Sequence, residues 1–484
     1  MTNSTVDVVS QMEKGAREPK VSSIQNDTTV TSSEGLSESE DPLNWPKSRK
    51  WLLTILTSLG GLVTLMSGAM LAPALNFIGK DLSISSAESS MALSIYVLAF
   101  AFGPMVLAPC SEVFGRRRVW ICGSAWYIVW NTVCGFSNNK GLLITARLFS
   151  GLGASVEFAV SGPIVNDMWS DQERGKSMAI RGFLPLLGPA LGPIVGGLMV
   201  QNLNWRWLFW TLSIFNALIF AVFIVAVPET HHATIVRRGL KTRQGSGEDP
   251  SHSSAKTSEL SLTSRLKTGI VRPTRFLIFE PTIQIMALIM AYQFGLLYIM
   301  LATYSSMWTS HYGLSPSASG LHYLAIVTGY LLAAQIGGWA MDKMWAHLKQ
   351  KNGGETKPEN RLPLMLPGTV LIPAGLLWYG WSVESHLHWI MPDIGVAILG
   401  YGLISSSYAA QAYIVDAFLE YNASATAAAM LLRSIFAFVF PIFAPQLYDN
   451  LGYGRGNSVL AGLAVILGFP APILLWKYGE RLRG

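Results

Sequence analysis

Two ionisable side chains, Arg147 and Glu157, lie within one apolar stretch of the sequence. Charge inside a long apolar stretch is costly and by default marks a functional position. Glu157 is the candidate proton carrier, since a carboxyl can bind and release a proton, whereas Arg147 keeps its proton and would attract an anionic group or bias a carboxylate. A helix separates them by about 15 Å and about 80°, so both would face a central cavity without pairing. The alternatives are a hydrogen-bonded carboxyl near the helix end for Glu157 and an anchor to backbone carbonyls for Arg147.

A run of glycine and proline, GPALGPIVGG, begins at Gly188. Gly188, Gly192 and Gly196 recur every four residues and share one helix face, which Gly197 widens. Small faces let helices approach closely, and prolines such as Pro193 weaken backbone hydrogen bonding. The run predicts either a tight, bendable seam between two halves of the chain that controls leak, or plain close packing.

Polar side chains in the second half of the chain are candidates for a ligand cavity, because such sites combine aromatic walls with a few polar groups. These candidates are Gln293, Tyr298, Ser406, Tyr408 and Gln411. Hydrogen bonding between helices explains each of them equally well. Arg433 lies deep in another apolar stretch, where a structural role is favoured, and Asp393 is expected to reach water.

The sequence does not indicate an enzyme. It has no nucleophile–base set or metal cluster, and Cys110, Cys122 and Cys134 lack the spacing of a metal site or a disulfide framework. No G-x-x-x-x-G-K-[ST] loop is present, so a pump driven directly by ATP is not expected. No cofactor is implied.

These residues must be positioned by helices that cross a membrane. Hydrophobic residues make up 50% of the 484 residues and charged residues only 13%, against about 25% charge in a soluble domain. A spanning helix needs about 20 apolar residues. The predicted spans, one to twelve, are 51–75, 91–109, 119–136, 142–165, 183–200, 208–227, 282–304, 321–341, 362–381, 390–413, 425–447 and 459–476. The expected fold is an all-α integral membrane protein with twelve transmembrane helices.

A polar segment divides the spans six plus six. The predicted organisation is a disordered tail (1–50) without a cleavable signal, a six-helix bundle (51–228), a linker (229–281), a second bundle (282–477) and a short tail (478–484). In each bundle an acidic residue followed by basic ones closes an equivalent helix, at 111–118 and 337–343, which indicates pseudo-repeats. Lys and Arg concentrate in the loops on the side of the two tails, so the tails are expected in the cytosol.

Several segments resemble the major facilitator superfamily and, within it, the fungal drug:proton antiporters with twelve helices. They are DPLNWP (41–46), SEVFGRRR (111–118), Arg147, GPALGPIVGG (188–197), WRWLFW (205–210) and PET (228–230). The chain departs from the family pattern at Ala108, where glycine is usual, and in a shorter spacing from Gly182.

The resemblance implies roles for the residues at the cytoplasmic ends of the helices. Glu112, Gly115 and Arg116 belong to the family's loop motif, and Asp167 pairs with the loop arginine. This cluster would latch against the start of span eleven, at 422–425, and stabilise an outward-facing state. Asp342 occupies the equivalent place in the second half. The alternative is ordinary anchoring by basic residues.

We therefore expect a secondary transporter that exports a drug, toxin or secondary metabolite in exchange for protons, by alternating access. The alternatives are an exporter of a small organic acid such as a dicarboxylate, held by Arg147 and Arg433, and a sensor that keeps the fold without transport. The expected partners are the small-molecule substrate, protons and membrane lipid, and not nucleic acid. A monomer in the plasma membrane is expected first, and one in the vacuolar membrane second.

Overall fold

The structure is a computed structural model that describes residues 41–237, 262–351 and 357–482, without the side chains at 171, 262–265, 341, 342, 349, 351 and 420. The predicted tail at 1–40, linker residues 238–261 and the side chain of Asp342 lie outside the described residues. In the part that is described, every regular element is helical.

Spans one to six are formed by eight helices. These are α1 (Lys47–Ala69), α2 (Leu75–Leu82), α3 (Ser86–Phe114), α4 (Arg116–Gly135), α5 (Lys140–Ala154), α6 (Val156–Met168), α7 (Asp171–Asn202) and α8 (Arg206–Ala226). Span one begins four residues earlier than predicted. Part of the predicted tail folds against it, since the amine of Lys50 donates to the carbonyl of Leu43 at 2.7 Å.

Nine further α-helices lie in the described part of residues 262–482. These are α9 (Leu262–Phe279), α10 (Pro281–Ser310), α11 (Pro316–Leu321), α12 (Leu324–Leu332), α13 (Gly338–Lys351), α14 (Leu366–Glu384), α15 (Ile390–Ala417), α16 (Asn422–Gly468) and α17 (Pro470–Leu482). Span eight is α11 to α13, interrupted by a π-helical turn at Ala333–Gly337. Helix α9 precedes span seven.

We assign twelve crossings to the described helices. Ten helical stretches among the described residues are long and apolar enough to span a membrane. The last, Asn422–Leu482, has 61 residues and bends at Gly452, where φ is 73° and ψ is 175°. Since about 20 residues suffice for one crossing, it accounts for two. We assign the twelfth crossing to α4, a 20-residue helix that begins with three arginines.

Side-chain caps fix several helix starts. The hydroxyl of Ser85 accepts from the amide of Glu88 at 3.2 Å, and the Glu88 carboxylate accepts from the amide of Ser85 at 2.8 Å. Asn139 caps α5 in the same way through the amide of Leu142, at 2.8 Å. Each cap satisfies a backbone donor that the first helical turn leaves unpaired.

Two ends of the helix bundle are distinguished below. The terminal end carries the start of α1 and the turn at Gly115, and the far end carries the loops at 83–85, 203–205, 311–315 and 385–389. Spans one to six contact spans seven to twelve at the far end and also further along the helices. Gln201 accepts from the amide of Ser317 at 3.3 Å, and the hydroxyl of Ser94 donates to the carbonyl of Phe438 at 3.0 Å.

Candidate functional site

Glu157 is buried between three neighbouring helices and is 5% exposed. Its Oε1 accepts a hydrogen bond from Trp120 Nε1 at 2.7 Å. Its Oε2 is buried without a hydrogen-bond partner among the described residues. A Cβ at Gly60 would lie 2.6 Å from the carboxyl carbon, so the glycine in α1 makes room for this side chain. An ionised carboxylate with one unsolvated oxygen is costly, which suits the position to a carboxyl that alternates between protonated and ionised forms.

Arg181 lies beside Glu157 and was not among the predicted site residues. Its Nη2 and Nε donate to Ser161 Oγ at 2.7 and 3.1 Å, and the Ser161 hydroxyl donates to the backbone carbonyl of Glu157. The predicted span five began at residue 183, so Arg181 lay outside it. The observed α7 begins at Asp171, which places this arginine about 15 Å along the helix.

Arg147 is 1% exposed and its guanidinium contacts the backbone of neighbouring helices. It donates to the carbonyls of Ala92 and Ser67 at 3.2 and 3.1 Å, and it lies 4.4 Å above the ring of Tyr96. No hydrogen bond or ion pair joins it to Glu157 in the described structure. This arrangement corresponds to the alternative in which Arg147 is a structural anchor, because backbone carbonyls accept hydrogen bonds from its guanidinium.

The polar candidates in spans seven to eleven do not form a single cluster. Gln293 donates to Ser406 at 2.8 Å, and Gln411 donates to Thr426 at 3.1 Å, so both join neighbouring helices. Tyr408 is 40% exposed.

Two further candidates, Tyr298 and Arg433, lie in spans seven and eleven. The hydroxyl of Tyr298 would be 3.4 Å from a Cβ at Gly68 in α1. Arg433 lies 4.1 Å above the ring of Phe294, and its buried Nε has no hydrogen-bond partner among the described residues. Tyr298 thus brings a polar group from the second half of the chain towards the first.

At the terminal end, the loop motif meets the segment that follows α8. Arg116 Nε lies 3.6 Å from Asp167 Oδ2, and the amide of Arg116 donates to Glu229 Oε1 at 2.7 Å. Glu112 is exposed. Glu229, which was quoted only as part of the PET segment, thus holds the turn at Gly115.

Replacing Gly115 with alanine is expected to destabilise this cluster. Gly115 has φ of 97° and ψ of 151°, a region that only glycine populates freely, at a cost of about 1–3 kcal/mol for other residues. A Cβ there would also lie 2.7 Å from the Glu229 carboxyl carbon. Thermal unfolding in detergent should therefore occur at a lower temperature than in the wild type. Gly175→Ala is the control, since nothing lies within 4 Å of its Cβ position, and equal unfolding temperatures for the two variants would contradict the prediction.

Only part of the glycine run lies between the two halves of the chain, where the seam was predicted. A Cβ at Gly188 would lie 2.7 Å from Leu65 Cβ, and one at Gly192 would lie 3.0 Å from the carbonyl of Met66. A Cβ at Gly196 would overlap the carbonyl of Met70. These three glycines therefore pack α7 against span one of the same half. The predicted seam between the halves is therefore wrong for these three glycines. Their four-residue spacing defines a helix face but does not identify the helix that this face contacts.

Gly197 is the member of the run that faces the other half. A Cβ there would lie 3.0 Å from the carbonyl carbon of Pro316. The contact is reciprocal, since a Cβ at Gly320 would lie 2.6 Å from the carbonyl oxygen of Pro193. The contact that the glycine run makes with the other half is therefore short and lies at the far end.

A helical chain that crosses the membrane twelve times and buries charged groups between its spans has the architecture of a polytopic membrane transporter. Residues 57–441 match the Major Facilitator Superfamily, and the chain belongs to this family. The predicted family and all-α membrane fold are confirmed, and the protein is a transporter and not an enzyme.

Curated relatives and solved structures extend this assignment. The chain is 39% identical to the probable efflux pump mfs2 of Aspergillus flavus, over 86% of this chain and 99% of that protein. It is 38% identical to the efflux pump vrtL of Penicillium aethiopicum, over 96% of this chain and 92% of that protein. A solved D-xylose–proton symporter has the same fold, with a TM-score of 0.65 at 15% identity, over 88% of this chain and 97% of the symporter.

Proposed function

We propose that this transporter exports a small organic molecule in exchange for protons. The observation that carries the proposal is the buried Glu157 carboxyl, with one oxygen bonded by Trp120 at 2.7 Å and the other without a partner in the described structure. A carboxyl in this setting can couple proton binding to a change in helix packing, because the charged and neutral forms favour different surroundings. Curated relatives with the printed name efflux pump support export as the direction.

The cycle we propose is alternating access between the halves at 51–228 and 282–477. The short seam at Gly197 and Gly320 would close the far end, and separation of the halves there would open it. We place both termini in the cytosol, because Arg116, Arg117, Arg118 and Arg174 cluster at the terminal end. The plasma membrane is the proposed location, and a monomer is the proposed functional unit.

Inside-out vesicles with an imposed proton gradient test this function. A panel of lipophilic toxins, polyamines and dicarboxylates should include a class that the wild-type protein accumulates, and a protonophore should abolish the accumulation. Control vesicles without the protein set the background. Flux that does not depend on the proton gradient would contradict proton coupling. Ligand binding without any flux would identify a sensor instead.

A small organic acid is the second candidate cargo. Arg433 favours it, because its buried Nε has no hydrogen-bond partner among the described residues and could donate to an anion. Arg147 does not add to this argument, since backbone carbonyls take its donors. Accumulation of the dicarboxylates alone in the same vesicles would select this cargo.

A further inference from the structure

A second ionisable cluster lies at the far end, in spans seven to twelve. His322 Nδ1 lies 2.8 Å from Asp393 Oδ2, and the Tyr304 hydroxyl donates to Asp393 Oδ1 at 2.6 Å. The side chains of His322 and Asp393 are each 13% exposed. Asp393, which was expected simply to reach water, is instead held by two side chains from two other spans.

The imidazole of His322 is held in one orientation. It stacks on Trp308 with ring centroids 3.7 Å apart and an interplanar angle of 16°. Because Nδ1 faces the carboxylate, Nε2 is the nitrogen left for exchange, and no hydrogen bond to it is recorded among the described residues. Both His322 and Asp393 line a cavity of about 840 Å³.

This cavity connects the pair to the far-end loops. Its lining includes Tyr312 and His388 from those loops, which are the other titratable groups beside the pair, together with Tyr304. Trp389 forms a further aromatic wall, with its ring centroid 5.9 Å from that of His322. The pair therefore borders a cavity that extends to the far-end loops.

The geometry tolerates both protonation states of the imidazole. A protonated ring is stabilised by the carboxylate and by the face of the Trp308 indole. A neutral ring keeps the hydrogen bond from Nδ1 to Asp393 and presents a lone pair at Nε2. Histidine is also the side chain that ordinarily changes charge near neutral pH.

We propose that His322 and Asp393 form a second proton-binding site of the transport cycle, which exchanges protons with the far side of the membrane. This inference rests on the proposed proton coupling. Glu157 lies 17 residues beyond the far-end start of α5, which is about 26 Å of helix. The two sites therefore lie in different halves and at different depths.

Proton binding is testable without knowing the cargo. The full-length protein, with isotope-labelled histidine in detergent micelles, is titrated across the range in which imidazole changes charge. The nuclear magnetic resonance signal lost in His322→Gln identifies this ring. We expect that signal to move with pH and its titration midpoint to change in Asp393→Asn, but not in His347→Gln, which alters an exposed histidine at the terminal end. A His322 signal that does not titrate, or that ignores Asp393→Asn, would overturn the proposal.

Transport then decides whether the site serves the cycle. With a compound that the wild type accumulates, His322→Gln should reduce the dependence of the rate on far-side pH at least about tenfold, while substrate exchange without a gradient continues. An unchanged dependence on far-side pH would refute the role in the cycle. Absence of gradient-driven flux in the wild type would instead refute the proposed function, and the titration alone would then decide the proton site.

Discussion

Glu157→Gln should lower gradient-driven accumulation at least about tenfold, equivalent to about 1.4 kcal/mol or more. Glutamine has nearly the same size, and its amide oxygen can still accept the hydrogen bond that Trp120 donates to Glu157 at 2.7 Å. The amide cannot bind or release a proton, so the imposed gradient can no longer bias the two facing states through this position. Accumulation in vesicles at several pH values measures the effect.

The matched control is Glu173→Gln. Glu173 is a carboxylate with 42% side-chain exposure that pairs with Lys47 at 2.8 Å on the protein surface, and such pairs contribute little. This variant should accumulate substrate as the wild type does. Wild-type accumulation in Glu157→Gln would show that another group carries the proton, provided that thermal unfolding shows both variants to be folded.

Gly197→Ala should shift the protein away from the state with a closed far end. The added methyl group would lie 3.0 Å from the carbonyl carbon of Pro316 and still closer to its oxygen, and backbone atoms cannot rotate away as a flexible side chain can. Overpacking of this kind costs about 1–3 kcal/mol, which changes a two-state equilibrium about 5–150-fold. Transport should slow as well, because the cycle needs the closed state.

Distances between spin labels across the far end can measure this shift. Leu203→Cys and Ser385→Cys place labels at exposed positions in the two halves, after Cys110, Cys122 and Cys134 are replaced. We expect a larger population of long distances in Gly197→Ala than in Gly182→Ala. The control substitution lies in the same helix, but nothing lies within 4 Å of its Cβ position. Identical distance distributions for the two variants would disprove the seam.

The amino-acid sequence by itself determines the crossings and their general character. Each span depends on the composition of about 20 consecutive residues, so neighbours along the chain suffice to recognise it. The costly charges at Arg147 and Glu157 and the small face at Gly188, Gly192 and Gly196 are local signals of the same kind. Their residue types limit the chemistry before any fold is known.

Only the tertiary structure decides which groups meet. Trp120 and Glu157 are 37 residues apart, and His322 and Asp393 are 71 residues apart. Helical periodicity assigns a residue to a face but leaves open the neighbouring helix that this face contacts, as the three glycines against span one illustrate. Contacts of this kind depend on how each helix is rotated and tilted against its neighbours, and that is set by packing summed over the whole bundle.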